Sequence, residues 1–339
     1  MLIMKKIFLT MLVLCCAVVA KAQNVATVAV LQTGDEVKVY NGIEALRNAY
    51  NDAAETGSVI TLSEGTFNSP NEIKKSVSIY GVGFEADAEK GISQPTIING
   101  KLYFRTGSDG QSLVRPRLEG IYVNNDVFAQ QTKELLIAKC RIGNFTVDGD
   151  NAETITIRQS LIEGNIAGSP EIKGLDVENC YISYKVTANN ANNKILINHC
   201  LLPTGSEGGH ATAVYTNCIF NGLYRASIGT NSVVKNCIIY GTGTTGCITE
   251  GNWVINDNDR ANIFDDGKYL DNYYGSFYDG TRTYKLKDPE TYVGTDGTEV
   301  GMCGGDYPWN KIPSTPVVKN MKVEVEGMTL KVNYETEVR

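Results

Sequence analysis

After its first two dozen residues the sequence has no further long apolar run. No later segment is apolar for long enough to cross a bilayer as a helix, which excludes a helical membrane protein built on such spans. Positive charge is also scarce. The 31 basic residues face 38 acidic ones, and removing the three lysines of the first 22 residues leaves 28 against 38, a net of −10. Nucleic acid and anionic membrane surfaces are therefore poor partners, because phosphate binding needs clustered Lys and Arg. An even cysteine count is missing as well. Of nine cysteines, Cys15 and Cys16 lie in the leader and seven remain, which rules out a fully paired disulfide framework.

The opening "MLIMKKIFLTMLVLCCAVVAKAQ" has a basic stretch at Lys5 and Lys6, an apolar stretch from Ile7 to Ala20 and a small-x-small site at Ala20-Lys21-Ala22. That is the pattern of an export signal over residues 1–22. Leu14 precedes Cys15 where a lipoprotein signal wants a small residue, which argues against a lipid anchor there. The expected location is periplasmic, cell-surface or extracellular.

The body of the chain repeats itself. "LDVENCYI" is followed by "ILINHCLL", "AVYTNCIF" and "SVVKNCII". Aligned on the residue before each Cys, one column runs Gly81, Gly100, Gly120, Lys139, Gln159, Asn179, His199, Asn217, Asn236, in steps of 18 to 20 residues. The positions two before and three after it are apolar throughout. Alternation of period two, rich in Val and Ile, means strand. A single Gly or Asn between two strands means a sharp corner in the left-handed region. Coils of strand, corner, strand and looser return stack into an all-β fold, a parallel β-helix of about nine or more coils.

The expected organisation is a cap over residues 23–58, the β-helix over 59–251, Tyr-rich C-terminal coils over 252–310, and a linker with a short strand tail over 311–339. The cap contains "NGIEALRNAYNDAA", with Ile43, Leu46, Tyr50 and Ala53 on one helical face and Asn41 as the capping residue. In the tail, Val317 to Val338 alternates as two strands around Gly327.

This pattern resembles the pectate-lyase-like superfamily of right-handed parallel β-helix proteins. "ALRNAYNDAAETGSVITLSEGTF" looks like their N-terminal cap and first strand, and "GTDGTEVGMCGGDYPW" is similar to the end of many secreted Gram-negative β-helix proteins of unassigned function. The resemblance implies the fold and export in a Gram-negative bacterium. It assigns no activity, because function sits in sites grafted on a fold.

Chemistry-bearing clusters are scarce. "GGH" at Gly208 to His210 is a partial echo of the polygalacturonase set, and the remaining elements of that set are absent. The residues that could form a groove site on the return segments are Lys185, His210 and Arg225, where a basic residue beside a His would suit proton abstraction next to a uronate carboxylate. "NDND" and "FDDG" offer Asp257, Asp259, Asp265 and Asp266 as calcium ligands, without the EF-hand spacing. The Asn-Cys pairs read as structural, with the thiols as small buried hydrophobes and the amides stacking on one another along the corner column. The leading expectation is a secreted or surface β-helix, non-catalytic and without cofactor, that binds glycans or proteins. The alternative is a lyase or hydrolase acting on an acidic polysaccharide.

One further column stands out. Two residues after each corner come Gly83, Leu102, Tyr122, Arg141, Leu161, Tyr181, Leu201, Ile219 and Ile238, which pleating places on the outer face. An apolar stripe of that length needs cover. The expected cover is either the C-terminal segment, with Tyr269, Tyr273, Tyr274, Phe277, Tyr278 and Trp309, or a second subunit.

Overall fold

The structure, a computed structural model, describes residues 27–337 apart from 149–151, 169–171, 188–194, 204–209, 224–227, 242, 261, 269–277, 315–316 and 327–328. It is a parallel β-helix. One face is a twelve-stranded sheet, whose first two strands, Val28–Thr33 and Glu36–Asn41, pair antiparallel and close the N-terminal end. The second face is a ten-stranded sheet and the third a five-stranded one. Within the rod neighbouring strands are parallel and in register, as in Val177 opposite both Ile157 and Ile197. Residues such as Ile157, Val177, Ile197 and Val234 fill one continuous interior.

The cap helix, Ala45–Asp52, buries Ala45, Leu46, Ala49 and Tyr50. It starts later than the sequence pattern suggests. Glu44 occupies its capping position without a side-chain cap bond, and Ile43 is exposed. Asn41 instead ends the preceding strand. The C-terminal tail forms an antiparallel pair, Val317–Glu326 with Thr329–Glu337, as its alternation predicts.

From Gly120 onward the corners are left-handed as expected, whereas Gly81 does not take a positive φ. Lys139, Gln159, Asn179, His199, Asn217 and Asn236 have φ between 48° and 54°. Gly120 shares the conformation, and Gly251 adds a corner beyond the recognised repeat. The alignment fails at Gly100. Tyr80 pairs with Glu119, so Gly81 is stacked directly on Gly120. Ile98 pairs with Val123 on the second face, not with Leu118. The 39-residue step from Gly81 to Gly120 is thus one long coil, and Gly100 turns the chain from the second face to the third. Leu102 accordingly leaves the outer stripe and lies in the core.

The Asn-Cys pattern has a backbone cause. A left-handed corner rotates the next amide out of the strand ladder and into the interior, where it needs an acceptor. The Cys180 amide donates to Cys200 Sγ, the Ser160 amide to Cys180 Sγ and the Cys218 amide to Cys237 Sγ, each at 3.4 Å. Ser160 Oγ plays the same part for the Cys140 amide at 3.1 Å, and Asn252 Oδ1 for that of Cys237 at 2.8 Å. Each ladder thiol in turn donates to the carbonyl two residues back, as Cys200 does to Asn198 at 3.2 Å. Cysteine therefore serves as a small hydrophobe that still offers an acceptor. All seven described cysteines are unbridged. Burial pushes the Cys140 thiol up to about 12 and raises Cys180, Cys200 and Cys218 as well, so these thiols are inert.

Cys200→Ser keeps the acceptor and should fold with nearly wild-type stability. Cys200→Val fills the space but strands the Cys180 amide, and should cost about 1–3 kcal/mol in a denaturation measurement. Equal stability of the two variants would show that the ladder bonds do not matter.

Candidate functional site

The outer stripe is covered by the chain's own C-terminal segment. Leu161, Tyr181, Leu201, Ile219 and Ile238 form a second hydrophobic cluster, separate from the interior, with Phe264, Tyr284, Leu286, Val300 and Met302. Tyr181 is fully buried between the rings of Tyr278 and Tyr284, each with its centroid 5.6 Å away. Trp309 packs against Tyr278 and Phe84. Tyr269, Tyr273, Tyr274 and Phe277 lie outside the described residues. The stripe is unbroken from Leu161 onward, where most of the cover sits, and Tyr278 and Trp309 extend it to Phe84.

Beside this cluster the segment 293–314 runs back along the corner column as a strap. Of the corner side chains, Asn217 and His199 meet as the sequence suggests, with Asn217 Nδ2 3.1 Å from His199 Nε2, but the corner column has a further role. Its side chains hold the strap. Asn236 Nδ2 donates to the Val293 carbonyl at 3.2 Å, and the Thr295 amide donates to Asn217 Oδ1 at 2.8 Å. Fully buried His199 places Nδ1 3.1 Å from the Gly301 carbonyl and Nε2 2.8 Å from Asp296 Oδ2. Asn179 Nδ2 donates to the Met302 and Gly304 carbonyls at 2.9 and 2.7 Å, and Gln159 Nε2 to the Pro308 carbonyl at 2.6 Å. Gly304 lies so close that a Cβ there would come within 2.8 Å of the His199 ring. At the far end Pro313 sits on Gly120, where a Cβ would meet it at 2.7 Å. The "GTDGTEVGMCGGDYPW" motif is thus the strap itself.

Between Pro308 and Ser314 the strap lifts off the rod and leaves a pocket of about 650 Å³. Its floor is the outer surface of the twelve-stranded sheet, with Arg117, Glu119, Leu136, Ala138 and Arg158, and the corner residues Lys139 and Gln159. Its roof is Asp306 to Asn310 together with Ser314. Glu119 is buried and fully engaged. It accepts from Arg117 Nη2 at 2.6 Å and from the Ser314 amide at 2.9 Å. Arg158 pairs with Glu178 at 2.8 Å and lies 3.4 Å from the centre of the Tyr307 ring. Lys139 is 9% exposed, and among the described residues its ammonium hydrogen-bonds only Ser314 Oγ, at 3.4 Å. Burial pushes its pKa below the usual lysine value, helped by the Arg117 charge and opposed by Glu119.

The residues singled out from the sequence lie elsewhere. His210 is buried, accepts from the Val186 amide through Nδ1 at 3.3 Å and sits among the rings of Tyr215 and Phe220. Desolvation, with Lys185 nearby, lowers its pKa to about 4, so it is a neutral interior imidazole. Arg225 lies outside the described residues. Asp266 is held by Arg282 at 2.6 Å, Asp265 accepts from Thr283 at 2.9 Å, and Asp257 and Asp259 belong to the short helix Asp257–Arg260. Among the described residues no three His, Cys, Asp or Glu side chains come together as metal ligands, and no helix is long and apolar enough to cross a membrane. Sequence reading missed the pocket. The one available signal was Lys139, a long cationic side chain in a column otherwise of Gly, Asn, Gln and His.

Comparison with protein-family models, curated proteins and solved structures finds no match.

The latch of His199 and Asp296 sets a pH dependence. Partial burial pushes the Asp296 carboxyl up, but bonds from the Thr298 amide and hydroxyl and from His199 outweigh this and hold it below the usual carboxylate range. A depressed folded-state pKa stabilises above the unfolded value, near 4, and the benefit is lost as pH falls through the folded value. Asp296→Asn should therefore lower the Tm at pH 7, and the difference should shrink in acid, as the pH falls through the folded-state value. An equal difference at pH 7 and in acid would refute the charged latch.

Proposed function

We propose that the protein is an exported parallel β-helix of the pectate-lyase-like type that binds glycans without transforming them. The pocket carries this reading. It is a concave, half-polar space of ligand size, closed by a strap that presents Tyr307 and Trp309 beside Arg117, Lys139, Arg158 and Asn310. Aromatic faces with fixed polar groups around them suit sugar rings, and a handful of placed polar groups in a preformed cleft is the usual form of a small-ligand site. The buried carboxylate, Glu119, spends both oxygens on Arg117 and Ser314, which supports a binding role over acid–base work. Export rests on the leader pattern of residues 1–22.

A second reading, a lyase acting on an acidic polysaccharide, is favoured by one observation: Lys139 is a desolvated amine, as a general base for proton abstraction would be.

Binding to a glycan array, followed by calorimetry on the hits, tests the proposal. Tyr307→Ala should weaken the best hit about tenfold, the loss of one aromatic contact. Incubation with pectate, alginate or chondroitin should release no ultraviolet-absorbing unsaturated ends. Binding that survives Tyr307→Ala unchanged would place the ligand elsewhere. Unsaturated product lost in Lys139→Ala would establish the lyase.

A further inference from the structure

Five successive corners, Gln159 through Asn236, spend their side chains on the strap. Lys139 breaks that rule. Its corner has the same left-handed conformation, with φ of 51°. The strap has already lifted away, and among the described residues the ammonium hydrogen-bonds only a hydroxyl, at 3.4 Å. Among the described residues no carboxylate comes within 4.0 Å of it, the limit for an ion pair. The other two cations of the pocket are matched, Arg117 by Glu119 and Arg158 by Glu178.

A largely buried lysine whose ammonium feels Glu119 only at a distance, with no carboxylate among the described residues in ion-pair contact, is costly. Proteins pair such groups or let them lose their charge. Here the unmatched group faces a cavity, so the missing partner can come from outside. The kind of partner follows from the donors left over. Both guanidinium forks face carboxylates already, so a ligand finds no free fork for bidentate recognition. It finds one compact point charge with three rotatable donors, which suits a single oxyanion without strict planar geometry. Tyr307, 41% exposed, and Asn310 stand across the same space to receive the ring and hydroxyls that carry it.

We infer that the pocket takes a sugar residue bearing one anionic group, a carboxylate or a sulfate ester, and that Lys139 is the residue that reads that charge. This rests on the glycan-binding reading and specifies its ligand. The overall charge of the mature chain, −10, opposes long polyanions in general, so recognition has to be local. Lys139 is then a specificity residue: it discriminates anionic from neutral sugars while the aromatic roof binds both.

Calorimetric titration of the full chain with three probes tests this: a neutral glucose hexasaccharide, a galacturonate hexasaccharide and a sulfated galactose hexasaccharide. At least one anionic probe should bind ten times more tightly than the neutral one, with affinity falling as salt rises. Which anionic probe wins identifies the oxyanion. Lys139→Gln places at this corner the residue that Gln159 already supports in the same conformation, so the fold should persist, checked by an unchanged Tm. It should remove the anionic preference and leave neutral binding within twofold, while Lys139→Arg should retain the preference. Equal affinity for neutral and anionic probes, or a preference untouched in Lys139→Gln, would overturn the inference and leave glycan binding standing. No binding of any probe would remove both.

Discussion

Each left-handed corner turns one backbone amide into the interior, and the rest of the molecule depends on satisfying it. An unpaired amide in the core costs about 1–3 kcal/mol, and the corner recurs coil after coil. The solution is a column of small side chains with an accepting atom, Cys or Ser, one coil further on. Because the acceptor comes from the neighbouring coil, no corner can form alone. The same rotation throws the corner side chain outward, so one backbone choice creates both an inner ladder and an outer row of polar hooks.

The hooks decide where the C-terminal segment goes. Asn179, His199, Asn217 and Asn236 present hydrogen-bonding groups at the spacing of the coils, and the strap answers with its carbonyls, amides and Asp296. Next to that row, the stripe from Leu161 to Ile238 needs apolar cover, which Tyr278, Tyr284, Val300 and Met302 supply. Polar hooks give register and apolar burial gives affinity. Where hooks and stripe end, near Lys139 and Arg141, the strap lifts and a pocket appears. Its position is thus a consequence of the fold's own boundary.

Much of this was legible in the chain. Period-two alternation with a Gly or Asn corner showed the coils, and the unbroken run Leu161, Tyr181, Leu201, Ile219, Ile238 announced a covered face. Gly100 misled because a 39-residue coil divides into steps of 19 and 20, so spacing alone could not separate one long coil from two ordinary ones. The corner asparagines disclosed their left-handed tolerance but not their partners, since a strap 57 to 125 residues away leaves no trace in local pattern. The pocket was hidden for the same reason. Gln159 and Pro308 are 149 positions apart in the chain and meet only once the strap is laid down.

The C-terminal segment is an integral cover of the rod, held by the corner hooks and needed by the apolar stripe. Deleting residues 257–339, which leaves every coil intact, tests this most directly. The truncated rod should keep a β-sheet far-ultraviolet spectrum, bind a hydrophobic dye and self-associate in sedimentation. A truncated protein that stays monomeric, soluble and dye-negative would contradict this role of the segment.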